Sequence, residues 1–499
     1  MFDAILAALP LVFTWPVLLG MVGGTALGIA VGALPGLSAT MAIAVLIPLT
    51  FSMDTLVALG MVAGIYNGAM YGGAIPSILL RIPGTPSAIA TVFDGYPMAR
   101  QGKAQLALDI SLTSSAFGSI VGAIVLICFA PPLATFALRF SPADYFWLAV
   151  FGMTAIAMLL GSNPIKGVLA TLIGLAIGMV GIDTLTGTAR YTFGVTELLS
   201  GVDLLVVLTG LFAIPPAIDL VAKSFSDAKA LSVESEKSEF NIFSLWPTLL
   251  RSSGFGLIIG LLPALGGNVA SLLAWHEERR SAKDNSLFGQ GDPRGVAASE
   301  CANNADNGTS LIPALTLGIP GNAVSAVILG VLLVHGLRPG PQLFRDNADL
   351  VFGFMISMLV SGGLMYVIGR LGSRVFINVI KLPPYILAPM IIGMTVVGVY
   401  STNNSMFDVW LMLGFGLLGY VMDRLAIPAA PTVLALILGP MAEESLRRAL
   451  LLSGNDFGYL VSSVISWIII ALIVLVIGVP IFRQFLKRSP TKREASNPP

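Results

Sequence analysis

Charge is scarce in this sequence. Of 499 residues only 11% are Asp, Glu, Lys or Arg, under half the roughly 25% of an ordinary soluble domain. So few ionic groups cannot cover the surface of water-soluble domains. The 27 basic and 27 acidic residues cancel to zero net charge, which leaves no basic face for nucleic acid. Cysteine is almost absent. Cys128 and Cys301 stand 173 positions apart without a C-x-x-C, which excludes a disulfide framework and reads as two small buried side chains. The two histidines, His276 and His335, make no H-E-x-x-H motif, so a zinc enzyme has little to work with, and His335 reads as a packing residue. No G-x-x-x-x-G-K-[ST] occurs, so no ATP-driven motor is expected in this chain. The first Lys or Arg is Arg81, so the N-terminal stretch does not read as a signal peptide.

Uncharged apolar sequence is what the chain does have. Apolar residues make up 56% and the mean hydropathy is +0.88. Ala4–Met53, Thr55–Leu80, Ile110–Leu138, Asn307–Leu337, Leu382–Phe407 and Phe457–Phe482 contain no charged residue. A helix needs about 20 mostly apolar residues to cross the hydrocarbon core, so these runs predict an all-α polytopic membrane protein of about 10–12 spans. Its 54 glycines and 31 prolines often interrupt the apolar runs. Broken backbone at membrane depth survives only where protein or a water-filled cavity satisfies it, so broken or re-entrant helices are expected as well. Charged stretches at Lys223–Phe240 and His276–Arg294 read as loops. The basic tail beginning at Arg483 reads as cytoplasmic by the positive-inside rule.

The sequence also repeats itself. Gly28–Pro35 recurs as Gly256–Pro263, 228 positions later, and Ile75–Gly84 recurs as Ile312–Gly321 at an offset of 237, with six of ten residues identical. Two pieces in the same order at nearly the same offset predict two repeats, of inverted topology. The division expected is 1–222, a linker at 223–245, 246–482 and a tail at 483–499. Interrupted apolar segments at corresponding positions of two halves mark secondary transporters. The reason is physical. A broken helix frees N–H groups where the dipole is positive, suited to a carboxylate, and carbonyls where it is negative, suited to a cation.

Three pairs of motifs follow from this. Pro35, Gly36, Leu37 and Ser38, with Pro263, Gly266, Gly267 and Asn268, combine a proline break with small residues and a hydroxyl or amide. Tyr66 and Asn67 pair with the stretch holding Asn303, Asn304 and Asp306, Asn67 aligning with Asn304. Polar groups at membrane depth are expensive and usually functional. Asn and Asp oxygens are ligands a hard cation takes. Gly84 and Ser87 pair with Gly321, Asn322 and Ser325, offering N–H groups and a hydroxyl after a Pro-Gly break. The substrate-binding set expected is therefore Pro35, Gly36, Leu37, Ser38, Tyr66, Asn67, Gly84, Ser87, Gly266, Gly267, Asn268, Gly321, Asn322 and Ser325. The ion-coupling set is Asn303, Asn304, Asp306, Pro35 and Pro263, with bound sodium the sole cofactor expected and no catalytic residue. Asp94–Gly102 reads as a polar turn, with Arg100 and Lys103 solvated.

Leu34–Leu37, Gly72-Gly73 leading into Ile78–Gly84, Asp94–Gly102, Glu300–Gly308, Leu311–Gly321 and Pro339–Phe344 resemble motifs of the large membrane subunit of the tripartite tricarboxylate transporters (TctA family). The resemblance runs from about Gly24 to the last span. It implies ion-gradient-driven uptake, by sodium or protons, of di- or tricarboxylates such as citrate across a bacterial inner membrane. It also implies two partners: a small membrane subunit of about four spans and a periplasmic solute-binding protein. A polytopic membrane enzyme and a stand-alone carrier or channel are the alternatives. The enzyme would need a titratable cluster within a span, and the stand-alone carrier would transport without partners.

Overall fold

The computed structural model describes residues 2–34, 37–159, 163–183, 186–222, 241–262, 265–379 and 384–488. Pro35, Gly36 and Pro263 lie outside the described residues, as do residues 223–240 of the expected linker and 489–499 of the tail.

The first stretch of chain forms α1 (Phe2–Val12), α2 (Trp15–Gly32), α3 (Ala39–Thr50), α4 (Thr55–Gly72), α5 (Ala74–Leu80), α6 (Ile89–Arg100), α7 (Ala104–Ala137), α8 (Pro142–Leu159), α9 (Pro164–Gly178) and α10 (Leu204–Ala222). The second forms α11 (Trp246–Gly260), α12 (Gly266–Ser281), α13 (Pro293–Thr309), α14 (Leu311–Leu317), α15 (Ala323–Val334), the short α16 (Leu343–Asp346), α17 (Ala348–Val379), α18 (Pro384–Asn403), α19 (Met406–Arg424), α20 (Ala430–Leu452) and α21 (Val464–Arg488). Proline marks several starts, in the first turn of α2, α9, α11, α13 and α20, where its missing N–H costs nothing. Strand is confined, among the described residues, to a two-residue antiparallel pair, Gly181–Ile182 with Ala189–Arg190.

Among the described residues six helical segments are long and apolar enough to cross a membrane: Trp15–Gly32, Thr55–Leu80, Ala104–Ala137, Leu204–Val221, Ala348–Ser373 and Met406–Arg424. Shorter apolar helices, among them Ala39–Thr50 and Ala323–Val334, make up much of the rest. The expected 10–12 spans thus divide into full-length and short pieces. Hydropathy sums over the glycine and proline breaks that cut the backbone.

Helix pairs pack through glycine. A Cβ on Gly28 of α2 would stand 2.5 Å from the Ile65 carbonyl oxygen of α4, and one on Gly256 of α11 would stand 2.4 Å from the Ala302 carbonyl oxygen of α13. Only hydrogen fits at either crossing, so the axes approach more closely than any larger residue allows. Helix α13 is also packed on α7, α17 bridges α4 and α7, α10 lies on α19, and α20 lies on α8 and α9. At the periphery Asp144 accepts from the hydroxyls of Ser463 (2.6 Å) and Ser466 (2.7 Å), which ties α8 to the start of α21.

Two hairpins interrupt this packing. After α4 a single residue of helical dihedrals, Gly73, leads into α5, which ends at Arg81 with φ of 61°. The Ile82 N–H then reaches the Pro76 carbonyl (3.4 Å) and the Gly84 N–H reaches that of Gly73 (3.2 Å). After α13 a single residue of helical dihedrals, Ser310, leads into α14, which ends at Gly318 with φ of 74°. There the Ile319 N–H reaches the Pro313 carbonyl (3.2 Å) and the Gly321 N–H that of Ser310 (3.3 Å). Every one of these residues is displaced by 237 from its counterpart. Left-handed backbone at a helix C-cap suits glycine, and Arg81 adopts it with a full side chain.

Three expectations are corrected here. Asp94–Arg100 is helical, part of α6, and Asp94 is fully buried rather than in a solvated turn. The loop expected from His276 begins only after Ser281, because α12 extends that far. Cys301 is buried as expected, but Cys128 is exposed on the outer face of α7, where a small apolar side chain needs no cover in a lipid-facing helix.

Candidate functional site

The two hairpins and two breaks converge on one cavity of about 140 Å³. Its walls come from Ser38–Thr40 at the start of α3, Thr85–Ser87 after the first hairpin, Leu265–Asn268 at the start of α12 and Asn322–Val324 at the start of α15. Helices α3, α12 and α15 therefore all present N-terminal turns to the same space. Free N–H groups and positive dipole ends are what an anion seeks, and among the described residues no basic side chain lines the cavity. The volume is below that of drug-sized ligand sites and suits the carboxylate end of a small molecule.

Local capping explains these starts. Ser38 Oγ accepts from the Met41 N–H (3.2 Å). Asn322 Oδ1 accepts from the Ser325 N–H (2.8 Å) while Ser325 Oγ accepts from the Asn322 N–H (2.9 Å), a reciprocal cap. Gly266 has φ of 58°, and a Cβ there would stand 3.0 Å from Asn322 Cβ, so α12 and α15 begin against each other.

Beside the cavity lies a buried polar cluster on α13. Asp306 Oδ2 accepts from Asn322 Nδ2 (2.9 Å), which also donates to Tyr66 Oη (3.1 Å), and that hydroxyl meets Ser310 Oγ (3.3 Å). Asn307 Nδ2 donates to Asn67 Oδ1 (3.2 Å), and Asn67 Nδ2 donates to Ser361 Oγ (2.8 Å) and the Met358 carbonyl (3.0 Å) of α17. Three oxygens and one nitrogen are left over. Asp306 Oδ1, Asn303 Oδ1 and Nδ2, and Asn307 Oδ1 are buried without a hydrogen-bond partner among the described residues, although a buried polar group normally has one. Glycines keep the adjoining space open. A Cβ on Gly267 would stand 2.5 Å from Asn303 Oδ1, and one on Gly260 would stand 2.8 Å from Asp306 Oδ1.

The expected residues thus take several places. Ser38, Ser87, Gly266, Gly267, Asn268 and Asn322 line the cavity. Tyr66, Asn67, Asn303 and Asp306 form the adjoining cluster. Asn304 sits in α13 with its amide already used: Nδ2 donates to the Glu300 carbonyl (2.9 Å) and Oδ1 accepts from Ser119 Oγ (3.4 Å). Leu37 packs among Leu34, Met41 and Val45 in an apolar cluster. Gly84 and Gly321 are hairpin residues, each pressed against backbone of the preceding helix junction, and Ser325 serves the α15 cap. Asn307, Ser310 and Thr85, within the same motifs but outside the expected residue sets, also neighbour the site. The asparagine-rich stretch signalled Asn307. The hairpin partners carried no signal of their own.

Residues 18–434 match the tripartite tricarboxylate transporter TctA family. That span covers both hairpins, every cavity wall and the whole of α13. The chain belongs to the TctA family. As a TctA protein it is a multi-pass membrane subunit of a tripartite tricarboxylate transporter, a class that works with a small membrane subunit and a binding protein. Among relatives, an uncharacterized 52.8 kDa protein of the TAR-I ttuC' 3' region of Agrobacterium vitis is 36% identical over 443 residues, 87% of each chain. A second protein, from the TAR-II ttuC' 3' region of the same organism, is 36% identical over 211 residues, 42% of this chain and 87% of its own. No solved structure matches.

Proposed function

We propose that this TctA subunit imports di- and tricarboxylates such as citrate by symport with sodium, and is a carrier rather than an enzyme. A periplasmic binding protein delivers the substrate, and a small subunit of about four spans completes the membrane unit. The carboxylate end of the substrate seats against the N-terminal turns of α3, α12 and α15. The cation takes the buried oxygens beside it. The observation that carries this reading is the pairing of an N–H-lined cavity with orphaned oxygens on Asn303, Asp306 and Asn307. Unpaired, those groups would each cost about 1–3 kcal/mol. A cation held by them removes that cost and offsets the anion's charge a few residues away. Hard oxygen ligands suit sodium.

In this reading residues 1–222 and 246–482 are inverted repeats, and the equivalent hairpins at an offset of 237 support it. The membrane is the bacterial inner membrane, with the basic C-terminal end in the cytoplasm.

The test is citrate uptake by proteoliposomes holding the three components, across a sodium titration. Asp306→Asn and Asn303→Ala are expected to raise the sodium half-saturation tenfold or more. Equal uptake without sodium, driven by a pH gradient, would replace sodium by the proton. An unchanged sodium dependence in both variants would remove the α13 cluster from coupling.

A further inference from the structure

Outside the central cavity lies a larger cleft of about 770 Å³, with Arg81, Tyr96, Arg100, Gln101, Trp275 and Gln290 among its walls. The two spaces share no lining residue. Arg81 is the left-handed residue ending the first hairpin, and Thr85, four residues on, lines the central cavity. Four residues span at most about 14 Å, so the cleft opens at the hairpin tip, next to the cavity along the chain.

The cleft is built, not a gap between loose loops. Asp94, fully buried on α6, accepts from the N–H groups of Gly289 (2.7 Å), Gly291 (3.1 Å) and Asp292 (2.9 Å) through Oδ1, and from Trp275 Nε1 (2.7 Å) through Oδ2. Gln101 Nε2 donates to the Gln290 carbonyl (2.8 Å). These bonds hold the 282–292 loop against α6 as one wall. All of Asp94's bonds are to neutral N–H groups, so they orient the carboxylate and tie the loop down while its charge stays behind that wall. Asp292 is taken by Arg294 at 2.6 Å.

The guanidinium groups are left over. Nine arginines pair with a carboxylate among the described residues. Arg81, Arg100, Arg139, Arg279 and Arg338 are in none of these pairs, and of these five Arg81 and Arg100 line the cleft. Arg81 lies over the Tyr96 ring at 5.8 Å, and Arg279, outside the cleft lining, lies over the Trp275 ring at 5.6 Å. Two guanidiniums without an ion-pair partner, beside a phenol and an amide, are the chemistry that recognises two carboxylates of one anion.

We propose that this cleft is a second, outer binding site for a di- or tricarboxylate, a station between bulk water and the hairpin cavity. The proposal rests on the carboxylate reading above. In a chain so poor in charge, it supplies the field that draws a polyanion toward a cavity lined by no basic side chain among the described residues. An anionic lipid headgroup carries related chemistry, and the test separates the two.

The wild-type protein in phosphatidylcholine vesicles is treated with phenylglyoxal, and modification of each arginine is read by mass spectrometry. Millimolar citrate is expected to slow modification of Arg81 and Arg100 at least threefold while Arg280, which pairs with Glu277, stays as it was. No protection by citrate overturns the proposal, and so does protection that appears only when phosphatidylglycerol replaces citrate. Uptake in the three-component vesicles is measured alongside. The Arg81→Gln/Arg100→Gln variant is expected to raise the citrate half-saturation tenfold or more, and an unchanged value overturns the outer site. Protection without uptake would sink the importer reading and leave the cleft standing. Uptake without protection would do the reverse.

Discussion

Asn322 Nδ2 donates to Asp306 Oδ2 at 2.9 Å, and the same side chain caps α15 through Oδ1. One amide therefore connects the start of α15 to the polar cluster of α13. Removing it should do two separable things. Asn322→Ala loses a helix cap, worth about 1 kcal/mol, and leaves a buried carboxylate oxygen without its donor, about 1–3 kcal/mol more. A lower unfolding temperature in detergent is expected, with loss of sodium-dependent uptake. Asn322→Asp keeps an oxygen for the cap but sets a second carboxylate against Asp306. It should lose uptake while the cap contribution survives, and hydrogen exchange at the first turn of α15 distinguishes the two variants.

The glycines that keep the cluster open give a sharper contrast. A methyl on Gly267 would reach 2.5 Å from Asn303 Oδ1, whereas one on Gly254, in the middle of α11, meets nothing within 4 Å. Gly267→Ala should abolish or strongly weaken sodium-dependent uptake because it fills the space the cation is assigned. Gly254→Ala should leave uptake unchanged and raise stability by about 0.5–1 kcal/mol, the usual gain on replacing an interior helical glycine. Equal uptake in the two variants, at equal protein per vesicle, would take the orphaned oxygens out of coupling.

Much of this site was legible because broken helices leave local signs. Ile75–Gly84 and Ile312–Gly321 share Pro and Gly at matching positions, so two breaks were legible in the sequence, while the left-handed Arg81 left no sign of its own. Ser38, Ser87, Gly266, Gly267, Asn268 and Asn322 meet at one cavity because each begins or precedes a helix, and helix starts have recognisable residues. What stayed hidden is long-range. Asn67 meets Ser361, and Tyr66 meets Ser310, over 294 and 244 residues, and no local pattern encodes which helix faces which. Asp94 and Arg100 looked like one solvated turn because they share a polar, proline-containing stretch. In the fold one is fully buried and the other walls a cleft, since the backbone there is helical and turns them to different sides.

Glu300 allows a test of packing apart from transport. It is fully buried, and its Oε2 accepts from Ser115 Oγ (3.0 Å) while Oε1 accepts from Thr91 Oγ1, which joins α13 to α7 and α6. Glu300→Gln retains a carbonyl oxygen for one of these hydroxyls and should fold and insert nearly as the parent does. Glu300→Ala deletes both acceptors and leaves a void among three helices. It should destabilise by about 2–5 kcal/mol, the range of a large core truncation. Unfolding in detergent followed by intrinsic fluorescence is the measurement. Equal midpoints for the alanine and glutamine variants would mean that the hydroxyl–carboxylate bonds do not hold these helices together.

The last prediction concerns the wall of the arginine cleft. Asp94 accepts four N–H donors and offers no hydrogen of its own when ionised. An Asn in its place can keep only one oxygen, and it must aim an NH₂ group either at the Trp275 indole N–H or at the three backbone N–H groups of residues 289–292. Either orientation sets donor against donor. Hydrogen bonds to a charged acceptor are worth about 1.5–3 kcal/mol, so Asp94→Asn should free the loop without unfolding the helices, whose packing lies elsewhere. Hydrogen exchange is expected to accelerate at least tenfold at Gly289, Gly291 and Asp292, with little change in α13 or α17. If the loop positions Gln290 and Trp275 for an incoming anion, the citrate half-saturation should rise in the same variant. Unchanged exchange at those three amides would mean that Asp94 does not hold the loop.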